Sequence, residues 1–226
     1  MPAFRKNWPS YESQDAVDAD TQALKDAYVY AEAPSLPSIT EIETYRDAPG
    51  YMINSLADFE AVAADPGVYS VDKTLYLNTD IDLTDSFTTV ASMQASFDGM
   101  NHTIRNLANC AGGVFTQFKG KAVRNLTLEN ITSNCKWNQG ILIDMYQGSA
   151  PLTIENITLR NCIGNKVEAN GMGGLLGYSA VTQSGTIRNC LIEGVTLNGA
   201  DKGNIGLIVS QVNQAGWLIE NVTVRN

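Results

Sequence analysis

The segment Ile154-Glu-Asn-Ile-Thr-Leu-Arg-Asn-Cys162 decides the fold, because variants of it recur along the second half of the chain. The recurrences are Ile104-Arg-Asn-Leu107, Val123-Arg-Asn-Leu-Thr-Leu-Glu-Asn-Ile131, Ile187-Arg-Asn-Cys-Leu-Ile-Glu-Gly-Val195 and Ile219-Glu-Asn-Val-Thr-Val-Arg-Asn226. In chain order their first residues are 19, 31, 33 and 32 positions apart. A second segment, represented by Gly173-Gly-Leu-Leu176, alternates with the first at the same period. Two interleaved segments that share one period predict a repeat architecture.

Matching positions of the repeat carry matching residue types, which indicates how the repeats stack. Apolar residues or cysteine occupy the positions of Ile154, Ile157, Leu159 and Cys162 in each full repeat. Asparagine recurs at Asn125, Asn156, Asn189 and Asn221, where we expect a ladder of side chains bonded from coil to coil. A strand of this kind buries its apolar face only against the next coil. The sequence therefore predicts an all-β, right-handed parallel β-solenoid of about 4–5 coils.

The first part of the chain has a different composition and predicts a separate region. Residues 1–100 carry 17 acidic and 5 basic residues, whereas the remainder carries 7 and 10. Residues 11–33 predict a helix, and the prolines after it predict an extended stretch to residue 50. We interpret residues 1–50 as a short α-helical N-terminal arm for anchoring or assembly, and residues 51–226 as the solenoid. A short capping helix is expected at about 55–64, with Ser55 as its N-cap.

Composition narrows the classes of function and of compartment. The 226 residues have a net charge of −9 and no basic stripe, which argues against nucleic acid as a partner. There is no long apolar run, so no membrane span is expected. The first residues do not have the pattern of a secretory leader, so we expect either synthesis without export or a leader that precedes Met1. The four cysteines lack CxxC spacing. We therefore expect cytoplasmic synthesis, with the cysteines as free, buried thiols.

Four stretches together resemble one known family. They are Ile53-Asn-Ser-Leu-Ala-Asp-Phe59, Tyr76-Leu-Asn-Thr-Asp-Ile-Asp-Leu83, Phe97-Asp-Gly-Met-Asn-His-Thr-Ile104 and Gly173-Gly-Leu-Leu-Gly-Tyr178. This set is similar to the GLUG-motif β-solenoid proteins, within the wider pectate-lyase-like right-handed β-helix group. The resemblance covers about residues 53–226. It implies the fold, but not the chemistry, because that group holds adhesins, virion spikes and polysaccharide enzymes.

Candidate binding residues lie in two places. The loops at 133–138, 164–171 and 198–204 vary in length between regular segments, which is typical of recognition surfaces. A second arc, expected to face solvent, offers aromatic rings among amides, a combination that suits sugars. The candidates are Lys136, Trp137, Tyr146, Gln147, Lys166, Glu168, Tyr178, Asp201, Lys202 and Trp217.

Signals for catalysis and for metal binding are weaker. Asp80, Asp82 and Asp85 form a weak candidate for a calcium site, with a solvated strand face as the alternative. His102 is the only histidine and is interpreted as a turn residue. Outward positions Arg124, Glu155, Arg188 and Glu220 alternate in sign, which predicts a charge ladder that holds the coils in register. We therefore expect no catalytic residue and no required cofactor.

Three functional hypotheses follow. The first is a non-catalytic virion component of phage type, such as a head decoration, fibre or spike subunit, at the virion surface after cytoplasmic synthesis. It rests on the missing leader, the distinct arm, and a last segment at Asn226 that we expect another subunit or further chain to cover. The second is an extracellular GLUG-type adhesin that binds surface glycans, and the third is a polysaccharide lyase or hydrolase. Expected partners are other copies of the chain or other structural subunits, with cell-surface polysaccharide as a further candidate.

Overall fold

The structure is a computed structural model, and it describes residues 40–45, 48–83, 87, 89–108, 110–135, 138–166, 171–199 and 203–226. The chain divides after Leu36 into two units, and every described residue belongs to the second, Pro37–Asn226. The predicted helix at 11–33 lies outside the described residues. The described part of the chain has no helix long and apolar enough to span a membrane.

Strands dominate these ranges, with one α-helix, α1 (Leu56–Ala64), and one 3-10 turn, Pro66–Val68. The first strands are β1 (Thr40–Tyr45), β2 (Ala48–Ile53), β3 (Thr74–Leu77), β4 (Ile81–Asp82), β5 (Ser96–Arg105) and β6 (Phe115–Phe118). The repeat region contains β7 (Ala122–Glu129), β8 (Thr132–Cys135), β9 (Asn138–Gly140), β10 (Ile143–Tyr146), β11 (Leu152–Arg160), β12 (Ile163–Lys166), β13 (Gly171–Gly173), β14 (Leu176–Ser179), β15 (Gly185–Glu193), β16 (Thr196–Asn198), β17 (Asn204–Gly206), β18 (Val209–Val212) and β19 (Leu218–Arg225).

The strands stack into four sheets that run along a parallel β-solenoid, which confirms the predicted fold class. The largest sheet has the order β1-β2-β3-β5-β7-β11-β15-β19, with β4 paired to β5. The others have the orders β6-β10-β14-β18, β8-β12-β16 and β9-β13-β17. Apart from the antiparallel pair β1–β2, the strand pairs are parallel. Residues 40–45 and 48–50, which the sequence assigns to an extended arm, therefore belong to strands of the large sheet.

The solenoid has about three turns, fewer than the 4–5 expected. A complete coil contributes one strand to each sheet, and β7–β10, β11–β14 and β15–β18 do so. Before them, β5 and β6 supply only two of the four faces, and after them β19 supplies one. The repeat segments at Ile104 and Ile219 are present as strands, but their coils are partial.

The predicted stacking of apolar residues is confirmed. Ile154 is in register with Val123 and Ile187, and Leu159 is in register with Leu128 and Ile192. The side chains of Ile154, Ile157, Leu159 and Cys162 are fully buried in one continuous core. Each coil thus covers the apolar face of its neighbour, which a single strand could not do alone.

Asparagine shapes the long strands as well as linking them. In β15 the alternation of buried and solvent-facing residues is interrupted at Asn189, where one extra residue faces outward before Cys190 turns in. Asn125, Asn156, Asn189 and Asn221 all have φ between 50° and 55°, the left-handed region that asparagine tolerates better than most residues. Each adds one outward-facing residue to its strand, and the neighbouring strands keep their register because they carry the same extra residue. Asparagine is therefore favoured here by backbone conformation as well as by hydrogen bonding.

Glycine recurs in the second repeat segment because the coil makes a tight corner there. A Cβ on Gly140 would lie 1.9 Å from the carbonyl oxygen of Ile143, and one on Gly173 would lie 2.0 Å from that of Leu176. Contacts so short with backbone atoms exclude any side chain. Steric exclusion therefore requires glycine at the last residue of β9 and at the last residue of β13.

Helix α1 covers the core beside the first strands of the large sheet. Its N-cap is Ser55, the residue expected from the sequence, and the Ser55 hydroxyl accepts a hydrogen bond from the Asp58 amide at 3.1 Å. Phe59 is fully buried; its ring stacks on Phe87 at 5.2 Å and meets the edge of Phe97 at 6.4 Å. The helix therefore closes one end of the apolar interior.

Two rows of alternating charge line the outside of the large sheet. In the predicted row, Arg188 contacts Glu155 at 2.8 Å, and Arg124 contacts Asp98 at 3.1 Å. The sequence analysis missed a second row, Glu129, Arg160, Glu193 and Arg225, in which successive ion-pair distances are 3.7, 3.2 and 2.8 Å. Opposite charges on neighbouring strands stabilise this order of the strands. Pairing of a strand with the next strand but one would bring like charges together.

Candidate functional site

The three variable loops leave the solenoid at one corner. They connect β8 to β9, β12 to β13 and β16 to β17, and the strands that flank them are stacked in register. Asn165 pairs with Asn134 and Asn198, and Gly171 pairs with Asn138 and Asn204. The segments between these strands contain two, four and five residues. The corner therefore combines a constant base with loops of varying length.

A side-chain ladder that the sequence analysis missed fixes the base of this corner. The Asn165 side-chain amide donates to the Asn134 side-chain oxygen at 2.9 Å, and Asn198 donates to Asn165 at 2.8 Å. These three asparagines fall within the loops predicted at 133–138, 164–171 and 198–204, but they belong to strands β8, β12 and β16. They precede the segments between the strands by one or two residues. Their equal spacing from the strand asparagines Asn125, Asn156 and Asn189 was the signal in the sequence that could have revealed them.

Most predicted loop residues lie outside the described residues. These are Lys136, Trp137, Glu168, Asp201 and Lys202. Lys166 is described as the last residue of β12. The structure thus locates the points at which the loops leave the solenoid, and the recognition role of their tips stays a prediction.

The second predicted group does not form one solvent-facing arc. Tyr146 is fully buried, which corrects the expectation that it faces solvent, and its hydroxyl donates to the Ala150 carbonyl oxygen. The reason is register: Tyr146 pairs with Phe118 and Ser179, which are also buried. Trp217 is half-buried over Gly185, whose missing side chain makes room for the indole ring.

Tyr178 does lie on an outer face, in a row along the sheet β6-β10-β14-β18. The row contains Gln117, Met145, Tyr178 and Gln211 at paired positions. Asn213 donates its side-chain amide to the Tyr178 hydroxyl, and the Gln147 amide lies 3.1 Å from the Met145 sulfur. This face therefore presents one aromatic ring held among amide side chains.

The acidic residues proposed for a metal site lie mainly in contacts with neighbouring strands. Asp80 accepts from the Thr103 amide and contacts His102 Nδ1, each at 3.0 Å. Asp82 contacts Arg105 at 3.1 Å and Asn106 at 2.7 Å. These hydrogen bonds lower the pKa of both carboxyl groups. Asp85 lies outside the described residues, and within the described ranges no three metal-ligating side chains cluster.

His102 lies in strand β5 and not in a simple turn. Met100 and Asn101 have φ of 49° and 67°, and the pairing of β5 with β7 shifts register between Asp98 and His102. The strand thus continues through a bulge that the sequence suggested as a turn. His102 serves there to link β5 to the Asp80 carboxylate.

Two sections of the predicted asparagine ladder are present, and the first of them ends on a carboxylate. Asn156 donates to Asn125 at 3.0 Å, Asn125 donates to Asp98 at 3.0 Å, and Asn221 donates to Asn189 at 3.2 Å. Asp98 is fully buried. A carboxylate offers oxygen acceptors and no donor, so the ladder of amide donors can end there. A parallel ladder runs from Asn130 to Asn106 and ends on Asp82. The donors in both ladders therefore point toward the N-terminal coils.

The buried thiols are as predicted where the structure describes them. Cys110, Cys162 and Cys190 are free and buried. Burial raises the pKa of each to about 11, so these cysteines are protonated at neutral pH. The Cys190 thiol donates to the Arg188 carbonyl oxygen at 3.1 Å. They behave as small core residues and not as nucleophiles.

A buried carboxyl group that the sequence analysis missed lies in strand β10. Asp144 is 5% exposed, and its Oδ1 accepts from the backbone amides of Gly113 at 2.8 Å and Gly140 at 2.9 Å. A Cβ on Gly112 would lie 2.2 Å from the other carboxyl oxygen, so glycine makes the space. Burial raises the Asp144 pKa to about 8. The group joins two successive coils and has the features of a structural clamp.

Comparison with known proteins adds no family. No protein-family model matches the chain, and neither the curated proteins nor the solved structures contain a match.

Proposed function

We propose that the chain is a non-catalytic display scaffold of an exterior surface, most simply a phage-type virion component such as a decoration, fibre or spike subunit. The observation that carries this proposal is the corner where three loops of unequal length leave strands held in strict register. A rigid frame with variable loops suits attachment, because the frame fixes the spacing while the loops change independently. The GLUG-type resemblance of residues 53–226 belongs to the same proposal.

The outward charges support a structural role over a lyase role. A lyase site needs an outward arginine or lysine beside calcium ligands. Arg188 instead contacts Glu155 at 2.8 Å, and Arg160 lies between Glu129 and Glu193. These arginines take part in the contacts between coils.

The attachment role is tested by binding to an array of bacterial surface polysaccharides. The variant replaces residues 136–137, 167–170 and 200–202 by Gly and Ser at equal length. We expect the chain to bind at least one polysaccharide and the variant to lose about tenfold or more in affinity. A matched control, Thr127→Ala with Thr158→Ala, changes the outer face of the large sheet and should bind normally. Binding that survives loop replacement, or release of reducing or unsaturated ends, would overturn the proposal.

The virion assignment and the adhesin alternative share this scaffold and differ in location. Mass spectrometry of particles released by lysis of the producing cells separates them. Recovery of the chain among the particle proteins supports the virion component. Recovery only with the cell-surface fraction would replace it by the adhesin.

A further inference from the structure

A group of buried polar side chains lies inside the coil β7–β10, at the base of the loop corner. Ser133 and Gln139 are fully buried, and Asp144 is nearly so. The Gln139 side-chain amide donates to the Ser133 carbonyl oxygen at 2.8 Å and to the Ser133 hydroxyl at 2.6 Å. That hydroxyl donates in turn to the Gly112 carbonyl oxygen at 2.7 Å. The group is thus a connected set of hydrogen bonds in an otherwise apolar interior.

One atom of this group lacks a partner within the described residues. Gln139 Oε1 is buried and accepts no hydrogen bond there. The orientation of this amide is fixed, because its nitrogen donates to the Ser133 carbonyl oxygen, which can only accept. A buried acceptor without a donor is costly, and such groups in folded proteins are commonly paired with ordered water.

The Asp144 carboxyl group has the complementary need. Its Oδ1 accepts from the amides of Gly113 and Gly140, at 2.8 and 2.9 Å. Burial raises the Asp144 pKa to about 8, so the group is protonated at neutral pH. Because Oδ1 is already an acceptor twice over, the proton belongs on Oδ2. Asp144 therefore carries a buried hydroxyl that needs an acceptor.

Gly112 brings the two needs close together. A Cβ on Gly112 would lie 2.2 Å from Asp144 Oδ2, so the carboxyl oxygen lies against this residue. The carbonyl oxygen of the same Gly112 accepts from Ser133, which is the partner of Gln139. Gly140, which donates to Asp144, directly follows Gln139 in the chain. A water molecule between the two side chains can donate to one and accept from the other.

We propose that the coil β7–β10 binds an ordered water molecule in its interior, which donates to Gln139 Oε1 and accepts from the Asp144 carboxyl hydroxyl. Two polar partners are within the range that buried waters have. The next coil offers no such pair, because Met172 is in register with Gln139 and Gly177 takes the position of Asp144. The site is therefore a property of this coil and not of the repeat, and it does not depend on what the loops bind.

The first test is a crystal structure of the full chain at neutral pH and atomic resolution. We expect one peak of density at about 2.8 Å from both Gln139 Oε1 and Asp144 Oδ2. Crystals soaked in rubidium chloride test a monovalent cation as the alternative ligand, because rubidium gives an anomalous signal and water does not. The absence of a peak, or an anomalous peak at this position, would overturn the proposal.

Two variants test the roles of the partners by the same measurement. Asp144→Asn keeps a donor, because its side-chain amide replaces the carboxyl hydroxyl, and it should retain the peak. Gln139→Met replaces the acceptor by the residue type in register on β13, and the peak between the two side chains should disappear. Gln117→Met makes the same change on the outer face of β6, and this matched control should retain the peak.

Neutron diffraction from parent crystals in heavy water gives the direction of each hydrogen bond. We expect a deuteron on Asp144 Oδ2 and a deuteron of the water directed at Gln139 Oε1. A water that donates to Asp144 instead, or a peak that persists in Gln139→Met, would contradict the proposal. If Gln139→Met does not fold, the neutron map of the parent chain decides by itself.

Discussion

At the scale of single residues, asparagine has two tasks in this fold that are easily confused. Asn156 has φ of 53° and also donates to Asn125 at 3.0 Å. The first task concerns backbone conformation, which glycine performs equally well, and the second concerns the side-chain amide, which glycine lacks. Substitution can separate them.

Asn156→Ala should lower the free energy of unfolding by about 2 kcal/mol, because alanine is strained at positive φ and also breaks the ladder. Asn156→Gly keeps the backbone conformation and should cost about 1 kcal/mol or less. Urea unfolding measures both. Equal losses for the two variants would mean that the backbone conformation contributes nothing at this position.

The raised pKa of Asp144 predicts how the stability of the solenoid changes with pH. Its pKa is about 8 in the folded chain and 3.8 in the unfolded reference, so the folded chain holds this proton more tightly. The stability from this group is therefore complete below about pH 4 and decreases as the pH rises toward about 8. The neighbouring Cys110, with a pKa of about 11, remains protonated throughout that range.

Asp144→Asn should remove this decrease, since the asparagine oxygen can still accept from Gly113 and Gly140 but cannot ionise. The thermal midpoint of unfolding at a series of pH values tests this prediction. The midpoint of the variant should rise steadily relative to that of the parent chain from about pH 5 to pH 8. The control variant Glu60→Gln changes an exposed acidic residue of α1, and its thermal midpoint should change with pH as that of the parent chain does. A constant difference between Asp144→Asn and the parent at all pH values would contradict the assignment.

At the scale of elements, the long strands β7, β11 and β15 each bury alternate residues in the continuous core. Ile157 of β11 is buried between Leu126 and the neighbouring coil on the other side, whereas Thr158 faces outward. Ile157→Ala should destabilise the chain by about 2–5 kcal/mol, because it leaves a cavity in a continuous core. Thr158→Ala should change stability by about 0.5 kcal/mol or less. Chemical unfolding of both variants checks this, and similar losses would indicate that β11 is not packed as described.

The sequence was sufficient for the elements that repeat and insufficient for those that occur once. Ile154, Ile157 and Leu159 could be placed in the core because sister residues in other coils constrain them. Tyr146 could not, since its inward direction depends on register with Phe118, in a strand whose sequence does not resemble the repeat. Asp144 was missed for a related reason: its position is taken by Gly177 in the next coil, so no periodic signal marked it.

At the scale of the whole molecule, the solenoid is a row of coils, and helix α1 covers the core beside its first strands. Phe59 of α1 stacks on Phe87 and meets the edge of Phe97, which covers the core beside the first strands. Phe59→Ala should destabilise the chain by about 3–5 kcal/mol and increase the binding of an apolar dye, because the first coil loses its cover. Glu60→Ala, on the exposed face of the same helix, should do neither. Unchanged dye binding in Phe59→Ala would show that the helix does not seal the core.

The stacking of the strands that flank the loop corner also sets a physical scale. Neighbouring strands in a sheet are about 4.8 Å apart, so the ends of β8, β12 and β16 follow one another along the axis at roughly that interval. These three strand ends make a strip about 10 Å long. Duplication of one coil would lengthen the strip by a fixed increment and leave its width unchanged. The number of coils therefore sets the length of this strip independently of the sequence of any one loop.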